Sequence, residues 1–153
     1  MIRLDLIECA EAGYPWLQEL KRYASVPDDS QDALLDSLLV RACTVVQEYA
    51  DTSLLACSFR LSVSGCDSQE IRLYQTVSTV TRVYDGSGND IGYTMSGRCL
   101  KLSAPAGDLT VEYDTVPDQA SVDMLLPVAI RYATALYDGQ DNTELTKIIS
   151  EIC

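Results

Sequence analysis

The sequence predicts an α+β fold, a small helical bundle with an inserted antiparallel β subdomain. Apolar residues recur three and four positions apart early in the chain and again near its end, which is the period of an amphipathic helix. Between these regions, apolar and polar residues alternate, as in half-buried strands. We therefore expect residues 1–153 to form a single domain, with a helical core at 4–51 and 119–153 and a β-rich insertion at about 57–115.

The first helical region is predicted in two pieces. Residues 4–12 form a short piece that ends at Gly13. Pro15 suits the first turn of the second piece, which covers 15–24 and carries Trp16 as a core anchor.

The longest predicted helix covers residues 29–50, with Asp29 as its N-cap. Leu38 lies at the predicted centre of its apolar face, so we expect a charge at this position to prevent folding. The apolar face consists of Leu35, Leu38, Leu39, Ala42, Val45, Val46 and Tyr49.

A change of period from 3.6 to 2 marks the β-rich insertion. The strongest turn signal in the chain is Asp85–Asp90, which predicts a hairpin. The predicted strands are 59–63, 71–74, 77–84, 93–95, 98–102 and 109–113.

The helical period returns at 121–138. Pro127 allows two alternatives, a helix that begins near Leu126 or one that begins at Ser121 and bends at the proline. A last helix is predicted after Asp141, its N-cap. This helix is too short to be stable alone, so its apolar stripe packs either on its own core or on a neighbouring molecule. The second alternative makes four residues candidates for partner docking: Leu145, Ile148, Ile149 and Ile152.

The charge balance argues against nucleic-acid binding. The chain has eleven Lys and Arg against twenty-three Asp and Glu, a formal net charge of −12, whereas phosphate contacts need basic residues. The carboxylates either keep the protein in solution, or form a surface that DNA passes without sticking or that meets a basic partner. No apolar run reaches the roughly 18 residues of a membrane span. The N-terminus also lacks a signal-peptide pattern, so we expect folding in a cytoplasm.

The cysteine pattern predicts free thiols. There is no CxxC pair and no histidine, so a zinc site is not expected. In a reducing compartment, we expect all the cysteines to be reduced. The six are Cys9, Cys43, Cys57, Cys66, Cys99 and Cys153.

Residues that could carry catalysis are scarce. Without histidine, a Ser or Cys nucleophile has no usual base. Asp28 and Asp29 are explained by capping, and Gly86–Gly88 lies between strands and lacks the lysine of a phosphate loop. We expect no enzyme activity, no cofactor and no metal.

The order of segments resembles the head–tail connector (adaptor) proteins of tailed bacteriophages, in the longer form that carries a β insertion. The resemblance rests on a short helix, an acidic cap, an Asp-x-Leu-Leu helix, a Tyr-Asp-x-x-Gly stretch, a Val-x-Val-x-Tyr strand and a closing helix. The matching segments are Arg22–Leu35, Arg41–Tyr49, Val77–Gly88, Leu109–Tyr113 and Ala129–Tyr137. The chain departs from the pattern at Asp114-Thr115 and at Asp138-Gly139.

The resemblance implies a virion protein of the neck that is assembled in the host bacterial cytoplasm. It would form a homo-oligomeric ring, commonly of twelve subunits, between the portal protein and the tail or stopper proteins. DNA would pass through this ring without specific binding, and no membrane is involved. Two other interpretations remain: a small cytoplasmic carboxylate-based enzyme or ligand-binding module, and a monomeric α+β domain of unrelated role.

Overall fold

The computed structural model describes residues 2–9, 14–66, 68–140 and 142–150. It confirms the α+β class, with four helices and seven strands in these ranges. The chain divides into two compact units. Residues 1–9 and 56–116 form the β unit, and residues 10–55 and 117–153 form the helical unit. The expectation that they make up a single domain stays a prediction.

The β unit contains two antiparallel sheets. The larger sheet has the strand order β1-β2-β7-β4, and the smaller has the order β3-β6-β5. The strands are β1 (Ile2–Cys9), β2 (Cys57–Cys66), β3 (Glu70–Arg72), β4 (Val77–Asp85), β5 (Tyr93–Ser96), β6 (Cys99–Leu102) and β7 (Gly107–Thr115).

The larger sheet has one apolar and one polar face, as the alternating sequence predicts. In β2 and β7, Phe59, Leu61 and Val63 lie opposite Tyr113, Val111 and Leu109, and all six are buried. The intervening residues of both strands are Ser, Thr, Arg, Glu and Asp. We call the two sides the inner face and the outer face.

The predicted helix over residues 4–12 is wrong, because residues 2–9 form strand β1. Apolar Ile2, Leu4 and Leu6 alternate with charged residues, which matches the period of a strand. They lie opposite the buried Val63, Leu61 and Phe59 of β2, in the same order. Pairing with this distant strand therefore decides the conformation of the segment. Residues 10–13 lie outside the described ranges.

This strand also overturns the prediction that every cysteine is reduced. The antiparallel register places Cys9 opposite Cys57, with 4.1 Å between their Cα atoms, and the two form a disulfide. The prediction failed because it compared spacings along the chain, whereas the pairing of β1 with β2 brings together cysteines 48 residues apart. Cys43 and Cys99 are free thiols.

The helical unit consists of α1 (Tyr14–Ala24), α2 (Asp32–Ala50), α3 (Gln119–Tyr137) and α4 (Asn142–Ser150). α3 begins before Ser121 and continues through Pro127, so a start near Leu126 is ruled out. It ends where Gly139, at φ 72°, donates its N–H to the carbonyl of Leu136. Among the described residues, no helix is both long and apolar enough to cross a membrane.

The predicted N-cap of the central helix is also wrong. α2 begins at Asp32, and the preceding Gln31 makes no side-chain capping bond within the described part of the chain. The carboxylate of Asp29 instead accepts a hydrogen bond from the Lys21 ammonium at 2.6 Å. Asp28 accepts the backbone N–H and the hydroxyl of Ser30. The Lys21 ammonium on α1 therefore binds the carboxylate that the sequence predicts as the cap of α2.

The buried side of α2 is rotated slightly from the predicted one. Leu39 is fully buried, whereas Leu38 is only half-buried. The buried amide of Gln47 lies on the same side, and its Oε1 accepts the N–H groups of Leu54 and Leu55 at 3.2 and 3.3 Å. These bonds give partners to two backbone N–H groups just after the helix, so Gln47 fixes the path by which the chain leaves α2.

The first testable prediction compares adjacent leucines of α2. Leu39→Asp should prevent cooperative folding, because it places an unpaired carboxylate among fully buried side chains. Leu38→Asp should lower the free energy of unfolding clearly less than Leu39→Asp does, because the Leu38 side chain is only half-buried. Urea unfolding followed by circular dichroism measures both. A Leu38→Asp protein that is less stable than Leu39→Asp would contradict this assignment of the core.

The second prediction concerns thiol labelling. Burial raises the pKa of the Cys43 thiol to about 12, so almost no thiolate forms near neutral pH. Iodoacetamide should label the exposed Cys99 in the native protein and Cys43 only after unfolding. Cys9 and Cys57 should need reduction as well as unfolding. Peptide mass mapping provides the measurement, and labelling of Cys9 and Cys57 in unreduced, unfolded protein would refute the disulfide.

Candidate assembly surfaces

The described residues offer several candidate contact surfaces. They contain no group of three or more His, Cys, Asp or Glu placed to hold a metal ion. The glycine-containing loop is a hairpin turn, as predicted. In this turn, Asp85 accepts the N–H groups of Ser87 and Asn89 at 2.9 Å, and these bonds hold the pKa of its carboxyl below the ordinary value. This carboxylate stabilises a turn.

A groove lies between α1 and α3 in the helical unit. Its volume is about 360 Å³. The ring of Tyr23 is 57% exposed here, although its spacing on α1 predicts an apolar, core-facing side. Apolar side chains form most of the lining, and charged groups complete it: Tyr23, Val122, Leu126, Pro127 and Ile130, with Glu19, Asp123 and Arg131. The groove is a candidate contact surface for another protein chain.

A buried lysine holds the corner between α1 and α2. The Lys21 ammonium lies 2.6 Å from a carboxylate oxygen of Asp29 and 2.9 Å from one of Asp32, and the Lys21 side chain is almost fully buried. The hydrogen bond to Asp29 and the ion pair with Asp32 raise the pKa of Lys21 above its ordinary value. The charge therefore serves the helix corner and is not available to bind DNA phosphates.

Three of the four residues predicted to dock a partner lie on α4. Leu145, Ile148 and Ile149 are only 9%, 8% and 8% exposed, and α4 packs against α3. In the isolated chain, the stripe therefore covers its own core, which was one of the two alternatives. The docking role stays a prediction and requires α4 to change its packing. Ile152 and the predicted cap Asp141 lie outside the described residues.

Strand β1 forms an exposed edge of the larger sheet. Within the described ranges, β2 is its only strand neighbour. Its inner-face residues Ile2 and Leu6 are 61% and 43% exposed. On the outer face, Arg3 donates to the carboxylate of Asp5 at 2.9 Å. This surface was not predicted from the sequence because a helix was assigned here, although the alternation of apolar and charged residues could have indicated it.

The opposite edge of the larger sheet is partly covered. The N–H of Ile91 donates to the carbonyl of Val83 at 2.9 Å, and Tyr84 pairs with Asp90 in a β-bridge. The hairpin that follows β4 therefore occupies part of this strand's free side. β1 is the more accessible of the two edges.

The comparisons with known proteins concern the fold. No family model and no curated protein matches the sequence. One similar solved chain belongs to the neck of an empty gene transfer agent (GTA) particle computed with C6 symmetry. The TM-score is 0.71 and the identity 15%, over 98% of this chain and 94% of that chain.

Two further solved structures are similar. A chain of the virion of a native GTA particle gives a TM-score of 0.67 at 16% identity, over 97% of this chain and 93% of that one. A chain from the neck of a native GTA particle computed with C12 symmetry gives 0.58 at 16% identity, over 95% and 94%. Along nearly its whole length, the protein therefore has the fold of chains from GTA particles and their necks.

Proposed function

We propose that the protein is a structural protein of the neck of a phage-like particle, a head–tail connector that joins the portal to the tail. The observation that carries the proposal is the likeness of fold to a GTA neck chain, which extends over 98% of this chain and 94% of that one. Such coverage includes both units, so the likeness is not restricted to a common helical motif. The order of sequence segments that resembles phage adaptors supports the same function.

The proposed assembly is a homo-oligomeric ring in the virion neck. Two of the similar structures were computed with C6 and C12 symmetry, which fits rings of six or twelve copies. The resemblance to adaptors favours twelve. A repeating ring contact must join two different surfaces of each subunit. The groove between α1 and α3 is one candidate for such a surface, because apolar side chains line an opening in the helical unit.

The proposed partners are the portal protein on one side and tail or stopper proteins on the other. Assembly takes place in the host bacterial cytoplasm. The net charge of −12 suits a channel wall that DNA passes without specific binding, since carboxylates repel phosphates. This role needs no catalysis and no cofactor. The carboxylate-based enzyme has no specific observation in its favour among the described residues.

We further propose that α4 docks on the portal or on a neighbouring subunit. Its apolar residues are buried in the isolated chain, so docking would exchange contacts with α3 for contacts with the partner. The nine-residue helix is too short to be stable in water alone, and it therefore needs one of these two surfaces.

The experiment mixes the purified protein with portal particles of the same source and measures co-sedimentation and mass. Full-length protein should bind, with a mass increase of six or twelve copies per portal. Deletion of residues 141–153 should abolish binding while circular dichroism shows that the remaining helices and strands persist. Lys147→Ser, at an exposed position on α4, is the control and should bind normally.

The outcomes separate the two proposals. If full-length protein never binds a portal, the connector function fails. If the truncated protein binds as well as the full-length protein, only the role of α4 fails.

A further inference from the structure

We propose that the free protein forms a two-fold dimer in which the β1 strands of two copies pair antiparallel. The register places Leu4 opposite Leu4 of the second copy, and the two larger sheets join into one. This inference concerns the subunit before assembly and does not depend on the proposed neck function.

The backbone of β1 is suited to pairing. An edge strand presents a row of N–H and C=O groups that another strand can use. Proteins commonly protect such edges with proline, bulges or a covering segment. Residues 2–6 contain no proline and keep a regular register with β2, whose irregularity begins only between Leu6 and Glu8. By contrast, part of β4 is already covered by its own hairpin.

The side chains of β1 are self-complementary about Leu4. With Leu4 opposite itself, Arg3 lies opposite Asp5 of the second copy, and Ile2 lies opposite its Leu6. Directly opposed residues in antiparallel strands point to the same face. The register therefore pairs opposite charges on the outer face and apolar side chains on the inner face.

Neighbouring registers are worse for identifiable reasons. Centring the pair on Arg3 places two arginines opposite each other, and centring it on Asp5 places two carboxylates opposite each other. Like charges directly opposed on a sheet are destabilising. A shift by one residue places apolar residues opposite charged ones. Charge complementarity thus favours one register, and it makes a second copy of this chain the expected partner of the β1 edge.

The charge pattern continues through the monomer. Glu112 of β7 accepts a hydrogen bond from Arg60 of β2 at 3.1 Å, and Asp5 lies opposite Arg60 in the next strand. Arg3 of the second copy would follow Asp5. The charges on the outer face then alternate, since Glu112, Arg60 and Asp5 of one copy are followed by Arg3 of the second copy. In the single chain, Arg3 turns to its own Asp5 instead.

The inner face offers an apolar surface for the second copy to cover. Ile2 lines a groove of about 330 Å³ together with Leu61, Val63, Ile71 and Tyr74. Leu6 of the second copy, lying opposite Ile2, would pack at this groove. The contact thus removes from water the two most exposed apolar side chains of the inner face of β1.

The symmetry of this contact separates it from ring assembly. A contact that joins a surface to itself closes with two copies and cannot repeat around a larger cyclic ring. If the protein also forms neck rings, the dimer belongs to the free subunit and the ring uses other surfaces. A protein that does not dimerise could still serve in the neck, and a protein that does not bind portals could still dimerise.

The test uses the full chain, two complementary variants and sedimentation velocity at physiological ionic strength. Wild-type protein should show a concentration-dependent monomer–dimer equilibrium. Ile2→Glu and Leu6→Lys change exposed side chains, so both should fold normally. Each should weaken its own dimer by about tenfold or more, because the symmetric contact contains the changed pair twice.

Mixing the two variants provides the decisive measurement. In the mixed dimer, the carboxylate introduced by Ile2→Glu in one chain meets the ammonium introduced by Leu6→Lys in the other. The second pair remains Ile2 with Leu6, so dimerisation should return. Met124→Lys, at a 74% exposed position on α3, should dimerise like the wild type.

Two results would overturn the proposal. The first is a wild-type protein that stays monomeric at about 100 µM, a concentration at which a contact with a micromolar dissociation constant would be almost fully occupied. The second is a pair of variants that dimerise normally on their own, or whose mixture fails to recover the dimer.

Discussion

The antiparallel pairing of β1 with β2 is the contact on which the rest of the chain depends. The two strands are separated by α1 and α2, so their pairing closes a loop whose ends meet at the disulfide between Cys9 and Cys57. Closing such a loop costs chain entropy before any contact compensates it. The apolar row that continues from β1 through β2 to β7 supplies the compensation on the inner face.

Inside the helical unit, two buried polar side chains set the course of the chain. Lys21 reaches from α1 to the carboxylates of Asp29 and Asp32, and Gln47 binds the backbone after α2. A buried polar group without a partner is costly, so each of them favours the one backbone path that satisfies it. Together they fix the path of the chain into α2 and out of it.

Regular patterns in the sequence predicted most of the fold. The change of period located all the strands between 57 and 115 and three of the four helices, and it located α4 in outline. Segments whose conformation depends on a distant partner were not predictable. The pattern from Ile2 to Glu8 is too short to exclude a helix, and only β2 decides in favour of a strand. The disulfide follows from the same pairing and was missed for the same reason.

The candidate surfaces show the same limit. Composition predicted no catalytic role, but it could not predict that the carboxylate of Asp29 would bind Lys21, eight residues earlier. The apolar stripe of α4 was visible in the sequence, whereas its packing against α3 was not. The open edge of β1 required the strand assignment first. Whether a segment forms an exposed surface depends on which other segment it pairs with, so these surfaces could be identified only in the folded structure.

We propose that this chain is a building block of a particle neck. The most direct measurement is cryo-electron microscopy of the neck of particles produced by cells that encode the chain. We expect a ring between head and tail whose repeating density fits the helical unit and the β unit, with DNA passing along the axis. A complete neck in which no density fits either unit would contradict it.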